Sequence, residues 1–138
     1  MIVGIGADLC DIRRIEQSID RFGQRFLDRC FTAGEQTACN DRADRAARFA
    51  RRYAAKEAAA KALGTGIGEF AGLKEIEVIS RPNGKPDLIL TGQAAATLAR
   101  LCPDGAAGHA HISISDEAPY ALAYVILEAL PAGDTDRN

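Results

Sequence analysis

Residues 49–66 read Phe-Ala-Arg-Arg-Tyr-Ala-Ala-Lys-Glu-Ala-Ala-Ala-Lys-Ala-Leu-Gly-Thr-Gly, and the rest of the chain is best read outward from them. Alanine, arginine and lysine are good helix formers, so a helix is expected from about Ala43 or Ala47 to Leu63. Gly64, just past the last apolar residue, is the usual stop. The loop Gly64-Thr65-Gly66-Ile67-Gly68 then carries backbone N–H groups expected to be free to face an anion. Within the helix Glu57 and Lys61 stand four apart and share a face, as do Arg52 and Lys56. Taken alone, Glu57–Lys61 reads as a routine surface salt bridge. The glycine loop beside it, and a second carboxylate far away in sequence, give it more weight.

That carboxylate is Asp8. Met-Ile-Val-Gly-Ile-Gly-Ala-Asp-Leu (1–9) alternates as a strand does, with Val3, Ile5, Ala7 and Leu9 on one face and Gly4, Gly6 and Asp8 on the other. A glycine-lined face leaves space beside a carboxylate, an arrangement suited to a metal or phosphate. From Ile12 to about Cys30 the period becomes helical: Ile15, Ile19, Phe22 and Phe26 form an apolar stripe, flanked by Arg14, Arg21 and Arg25. The basic flank is either solvated surface or a docking face for an acidic helix. Thr32 and Glu35 have capping-box spacing after Phe31, so a short helix follows, with a turn within 40–48.

Downstream, Leu73–Ser80 and Asp87–Leu90 read as strands joined through Pro82-Asn83-Gly84-Lys85. Thr91 is a cap for a short helix to Leu101, and a last hairpin pairs about 109–115 with 120–128. The pattern is an α+β chain of helices and hairpins without βαβ units, with one domain over residues 1–128 and a polar tail, expected to be disordered, over 129–138.

Apolar residues make up 47% of the 138, but there are only five Phe, three Tyr and no Trp. Such a core relies on close backbone packing, and small domains of this kind often gain stability by oligomerising. Seventeen basic against nineteen acidic side chains, a net charge of -2, argue against a broad nucleic-acid surface. Cys10, Cys30, Cys39 and Cys102 lack zinc-site spacing, and no signal peptide is read, so reduced structural thiols in the cytoplasm are expected. No window approaches the roughly 18 apolar residues of a membrane span, so no membrane insertion is expected.

Five blocks in order carry a family resemblance: Gly4-Ile5-Gly6-Ala7-Asp8 with Arg14-Ile15; Phe31-Thr32 with Glu35; Phe49 to Glu57 continuing through Lys61 to Gly66; Asn83-Gly84-Lys85-Pro86; and His111-Ile112-Ser113-Ile114-Ser115-Asp116. Together they resemble the holo-acyl-carrier-protein synthases, the small phosphopantetheinyl transferases, over roughly residues 2–128. The resemblance implies an antiparallel sheet packed against a long helix, and a homotrimer with active sites between subunits. It implies transfer of the phosphopantetheine group of coenzyme A to a serine of an acyl carrier protein. Asp8 and Glu57 would ligate magnesium and Lys61 would contact the transferred phosphate. Arg52, Lys56 and Gly64, Thr65 and Gly66 would hold the phosphorylated nucleotide, with Gly84 and Pro86 beside the adenine and His111 and Ser113 on the strand lining the site. Asp116 departs from the histidine of many relatives; it would accept a hydrogen bond from water or the serine, and Glu57, Asp8 and Asp116 stand as equal candidates for the carboxylate that orders the base water. Arg14, Arg21 and Arg25 would meet the acidic carrier protein. A magnesium-dependent nucleotide or diphosphate hydrolase, and a non-catalytic binding module for coenzyme A or the carrier, are the rival readings.

Overall fold

The N-terminal strand, β1 (Ile2–Asp11), carries its glycines where a helix lies on it. In the computed structural model, which describes residues 1–133, β1 forms one edge of a three-stranded antiparallel sheet of order β1-β5-β4, with β4 at Ala106–Glu117 and β5 at Tyr120–Pro131. One face of this sheet is covered by α4 (Arg45–Ala62), the long helix expected from the alanine-rich stretch. It contains no β-branched residue, and its alanines 54, 55, 58 and 59 are fully buried. A methyl group added at Gly6 would meet the Ala58 carbonyl and stand 2.7 Å from Ala62 N, and one at Gly4 would meet the Ala62 carbonyl. Two steps along a strand cover about 7 Å and four residues of helix about 6 Å. Gly4 against Ala62 and Gly6 against Ala58 therefore keep pace as the two elements run in opposite directions.

This reverses one expectation. The glycine face is not open space for a ligand but the seat of α4. The apolar face, with Ile5 58% and Leu9 63% exposed, is the uncovered one. Alternation reports two faces; it does not say which is buried.

Between β1 and α4 the chain forms α1 (Ile12–Phe22), α2 (Gln24–Cys30) and α3 (Ala33–Asn40). The single helix expected from Ile12 to Cys30 is broken at Gly23, whose φ of 58° lies in the left-handed region. Arg25 is thereby separated from the helix of Arg14 and Arg21, and Phe22 is left half exposed. The capping box at α3 forms as expected: Thr32 Oγ1 accepts from Glu35 N (3.2 Å), and Thr32 N donates to Glu35 Oε1 (2.9 Å).

The second sheet is the hairpin β2 (Ile76–Ser80) and β3 (Pro86–Leu90), preceded by a 3-10 turn at Leu73–Glu75 where strand was expected. Thr91 does not cap α5 (Gly92–Leu101) with its side chain. The carboxylate of Glu75 does so instead, accepting from Gln93 N at 2.6 Å and Gly72 N at 2.8 Å. β5 runs to Pro131 with Ala129 buried, three residues beyond the boundary expected at 128. The remaining tail residues, 134–138, lie outside the described residues.

Gly6→Ala is expected to lower unfolding stability by about 3 kcal/mol, the upper end of overpacking costs, because backbone rather than a flexible side chain blocks the methyl. Gly68→Ala, where nothing lies within 4 Å, serves as the control and should change little. Urea denaturation of both variants checks the difference.

Candidate functional site

Beyond Gly6, the next inward position of β1 is Asp8, opposite Ala123 of β5. The helix brings Glu57 and Lys61 to the same place. Asp8 and Glu57 line one cavity of about 360 Å³, with Arg14, Gln17, Ser18 and Arg21 from α1 and apolar walls from Ile15, Phe22, Phe26 and Tyr53. Lys61 makes no bridge to Glu57. Its ammonium, on a side chain 53% exposed, donates to Asp8 Oδ1 at 3.1 Å and to the Ala7 carbonyl at 3.1 Å. Burial, and then the Glu57 carboxylate, push the Tyr53 phenol up to about 12. Burial, and then Asp8, push the Cys10 thiol up to about 11. Both groups thus stay neutral in a pocket whose negative charge belongs to the two carboxylates.

Among the described residues no three His, Cys, Asp or Glu side chains converge as a metal cage. Two carboxylates on separate elements instead suit a hard cation that takes its other oxygens from water and substrate phosphate, as magnesium does.

A second cavity, of about 330 Å³, opens on the other flank of α4. Arg48, Arg51 and Arg52 line it, faced by Ser80, Gly84 and Pro86 of the β2–β3 hairpin and by Ile114 and Asp116 of β4. Gly84, with φ of 85°, makes the tight turn, its N–H donating to the Arg81 carbonyl at 2.8 Å. Arg48 pairs with Asp44 at 2.8 Å and Arg51 with Asp116 at 3.1 Å. Arg52 is only 8% exposed, yet its Nε has no partner. A buried guanidinium left in that condition calls for an anion. Arg48 and Arg51 were missed as site residues, although Arg48 stands three before Arg51 and four before Arg52, which puts the three on one side of the helix.

Several expected site residues lie elsewhere. Lys56 is fully buried and cannot reach a nucleotide: its three donors go to Glu35 Oε1 and to the carbonyls of Leu73 and Ile76, each at 2.7 Å. Burial pulls its ammonium down from the usual range, and Glu35 opposes that shift. The N–H groups of Gly64, Thr65 and Gly66 are not free either; they donate to the carbonyls of Lys61, Ala60 and Ala60, closing the end of α4. Asp116 lines the arginine cavity rather than the one holding Asp8 and Glu57, so within one chain it is no base for that site. His111 and Ser113 alternate to the uncovered sheet face, where His111 Nε2 meets Glu128 Oε1 at 3.1 Å. Cys10, Cys30, Cys39 and Cys102 are free thiols, the first three buried. Among the described residues no helix is long and apolar enough to cross a membrane.

The family model for the 4′-phosphopantetheinyl transferase superfamily matches residues 4–125. A holo-[acyl-carrier-protein] synthase from Methylobacterium sp. (strain 4-46) is 55% identical over 130 residues, 94% of this chain and 96% of that protein. Among solved structures, the holo-[acyl-carrier-protein] synthase from Neisseria meningitidis superposes with a TM-score of 0.82 at 34% identity, covering 93% of this chain and 99% of the other. The corresponding synthase from Bacillus anthracis str. Ames, solved in complex with CoA (3′,5′-ADP), gives a TM-score of 0.76 at 35% identity, covering 94% and 99%.

Lys56→Met should cost about 3–5 kcal/mol, since it leaves the Glu35 carboxylate buried without its counter-ion. Adding Glu35→Gln should recover at least about 1 kcal/mol of that loss. A double variant less stable than Lys56→Met in urea would show that the unpaired charge is not the source.

Proposed function

The chain belongs to the 4′-phosphopantetheinyl transferase superfamily, and on that premise we propose that it moves the 4′-phosphopantetheine group of coenzyme A to a serine hydroxyl of an apo acyl carrier protein. The serine oxygen bonds to the pantetheine-side phosphorus, the bond from that phosphorus to the bridging oxygen breaks, and adenosine 3′,5′-bisphosphate leaves. One observation carries the reading: Asp8 and Glu57, from distant parts of the chain, line one cavity with Lys61 bonded to Asp8.

Asp8 and Glu57 are the residues that would hold magnesium. Bound there, the ion would supply countercharge to the diphosphate oxygens of the coenzyme. Lys61, exposed beside Asp8, carries a further positive charge for the transferred phosphate. The proton lost by the serine has the oxygens of Asp8 and Glu57, directly or through water, as acceptors in the same cavity. The arginine cavity, with Arg52 buried and unpartnered and Gly84 and Pro86 opposite, is the proposed seat of the phosphorylated nucleotide.

Arg14 and Arg21 are exposed at the carboxylate cavity, with Arg21 stacked over Phe22 at 5.1 Å. A charged rim beside an apolar residue supports docking of an acidic helical carrier at its reactive serine. The uncovered sheet face, with Ile5, Leu9, Leu122 and Tyr124 all exposed, supports self-association that buries it, and the homotrimer implied by the family resemblance is the assembly proposed. On this reading the domain takes in β5 to its end at Pro131, and four free thiols fit a cytoplasmic setting.

Incubation with apo carrier protein, coenzyme A and magnesium should raise the carrier's intact mass by one phosphopantetheine group. An unchanged carrier mass would remove the transferase reading, and coenzyme A breakdown without a carrier would point to a hydrolase. Glu57→Ala should lower kcat/KM at least about 100-fold with an unchanged unfolding midpoint. In the same assay Arg14→Glu or Arg21→Glu should raise the carrier KM about tenfold and leave the coenzyme A KM within about twofold.

A further inference from the structure

The arginine cavity holds a feature that nucleotide binding alone does not require. It has three guanidinium groups, each in a different state. Arg48 is engaged outward by the exposed Asp44, Arg51 is engaged within the cavity by Asp116, and Arg52 is buried without a partner. Asp116 faces the same space as the arginines from the edge strand β4. A carboxylate there repels a phosphate that approaches Arg52.

A phosphate monoester carries up to two negative charges on three terminal oxygens, more acceptors than one guanidinium can serve. Arg51, next in sequence to Arg52 and lining the same cavity, is the second donor at hand, and Asp116 occupies it. The Arg51–Asp116 pair is partly exposed, at 23% and 39% of the side chains, so it is held weakly and can be exchanged at small cost.

We propose that Asp116 is a built-in competitor for the nucleotide phosphate, holding Arg51 until a phosphate monoester takes its place beside Arg52. The proposal rests on the reading of this cavity as the nucleotide seat. It assigns Asp116 an affinity-setting role through Arg51, in place of a role as base. The chemistry gives such a competitor a use. Coenzyme A and the departing adenosine 3′,5′-bisphosphate carry the same phosphate, so binding energy spent there is equal for substrate and product and retards release. A carboxylate that lowers affinity for both shortens the time the product occupies the site.

The test is calorimetric titration of the intact protein with adenosine 3′,5′-bisphosphate. Wild-type protein should bind it, and Asp116→Asn should bind it about five- to tenfold more tightly, with the KM for coenzyme A falling in parallel. In an Arg51→Gln background the same Asp116→Asn change should give no gain, because the group it liberates is gone. Wild-type protein that fails to bind the nucleotide would overturn the reading of the cavity and the proposal with it. Binding by wild type with equal or weaker binding by Asp116→Asn would overturn the proposal alone, as would a gain that survives in the Arg51→Gln background.

Discussion

Close approach of α4 to β1 is the constraint on which the rest depends. The helix can lie this near only because Gly4 and Gly6 present no side chain to the carbonyls of Ala62 and Ala58. Small residues across the contact bring two rigid elements into backbone contact, and that fixes their relative register more tightly than larger, more adaptable side chains would. Because strand and helix advance by nearly equal distances per step in opposite directions, the position after Gly6 falls beside the helix turn that runs from Ala54 to Ala58 and carries Glu57 on its flank. Lys61, rooted near the Gly4 end of the contact, extends its side chain along the strand to the Ala7 carbonyl and the Asp8 carboxylate, each at 3.1 Å. Local stiffness, rather than a flexible loop, sets the carboxylate geometry.

α4 also divides the molecule by rotation. At about 100° per residue, Ala54, Ala58 and Ala62 form the side against the sheet. Tyr53, Glu57 and Lys61 fall on one flank, and Arg48 and Arg52 on the other, about 160° away. Lys56 and Phe49 point away from the sheet, toward α3 and the 3-10 turn. Lys56 ties three segments to the helix at once: Glu35 of α3, Leu73 of the 3-10 turn and Ile76 of β2. An apolar residue would take this donor from two carbonyls and the counter-ion from the Glu35 carboxylate, so the buried ammonium satisfies groups that the backbone path gathers there. Glu35 belongs to the same network, its other oxygen accepting from Val78 N at 3.0 Å. This bond helps hold the hairpin that supplies Gly84 and Pro86 to the arginine cavity.

What was legible in the sequence was mostly local. The capping box of Thr32 and Glu35, the run of α4 and the hairpin turn at Gly84 each depend on a few neighbouring residues, and each formed. The pairing of Asp8 with the Glu57 region was suggested by the residues themselves, a carboxylate among glycines and another beside lysine and a glycine loop, and the family resemblance then gave it the weight that no spacing rule supplies for residues so far apart. The errors share a cause. Lys56 and Glu57 are adjacent in a helix, and periodicity cannot say that one faces a protein interior and the other a cavity. The glycine face was read as room for a ligand because nothing in β1 itself announces the helix that fills it. The periodicity from Ile12 to Cys30 runs through Gly23 without a break, whereas the glycine's φ of 58° separates α1 from α2, the helix that buries Leu27 and Cys30. Glu75 caps a helix that begins many residues later, a tertiary event with no local signature.

The two cavities flank α4 and lie toward opposite edges of a three-stranded sheet, Asp8 on β1 and Asp116 on β4, with β5 between them. At about 4.8 Å per strand spacing, the two edge strands are roughly 10 Å apart before any side chain is counted, and the helix fills the space above. An extended substrate that must touch both cavities of one chain would have to pass around α4. The uncovered apolar face offers another route. In the proposed homotrimer, copies meeting head to tail would set the carboxylate edge of one near the arginine edge of the next and close into a ring. The same exposed Ile5 and Leu9 that look misplaced on an isolated chain would then form the inner wall of the assembly. His111 and Ser113, which serve neither cavity within one chain, would face a neighbour. Burial of the apolar face and completion of the site would thus be a single event, with each chain supplying half of two sites rather than the whole of one.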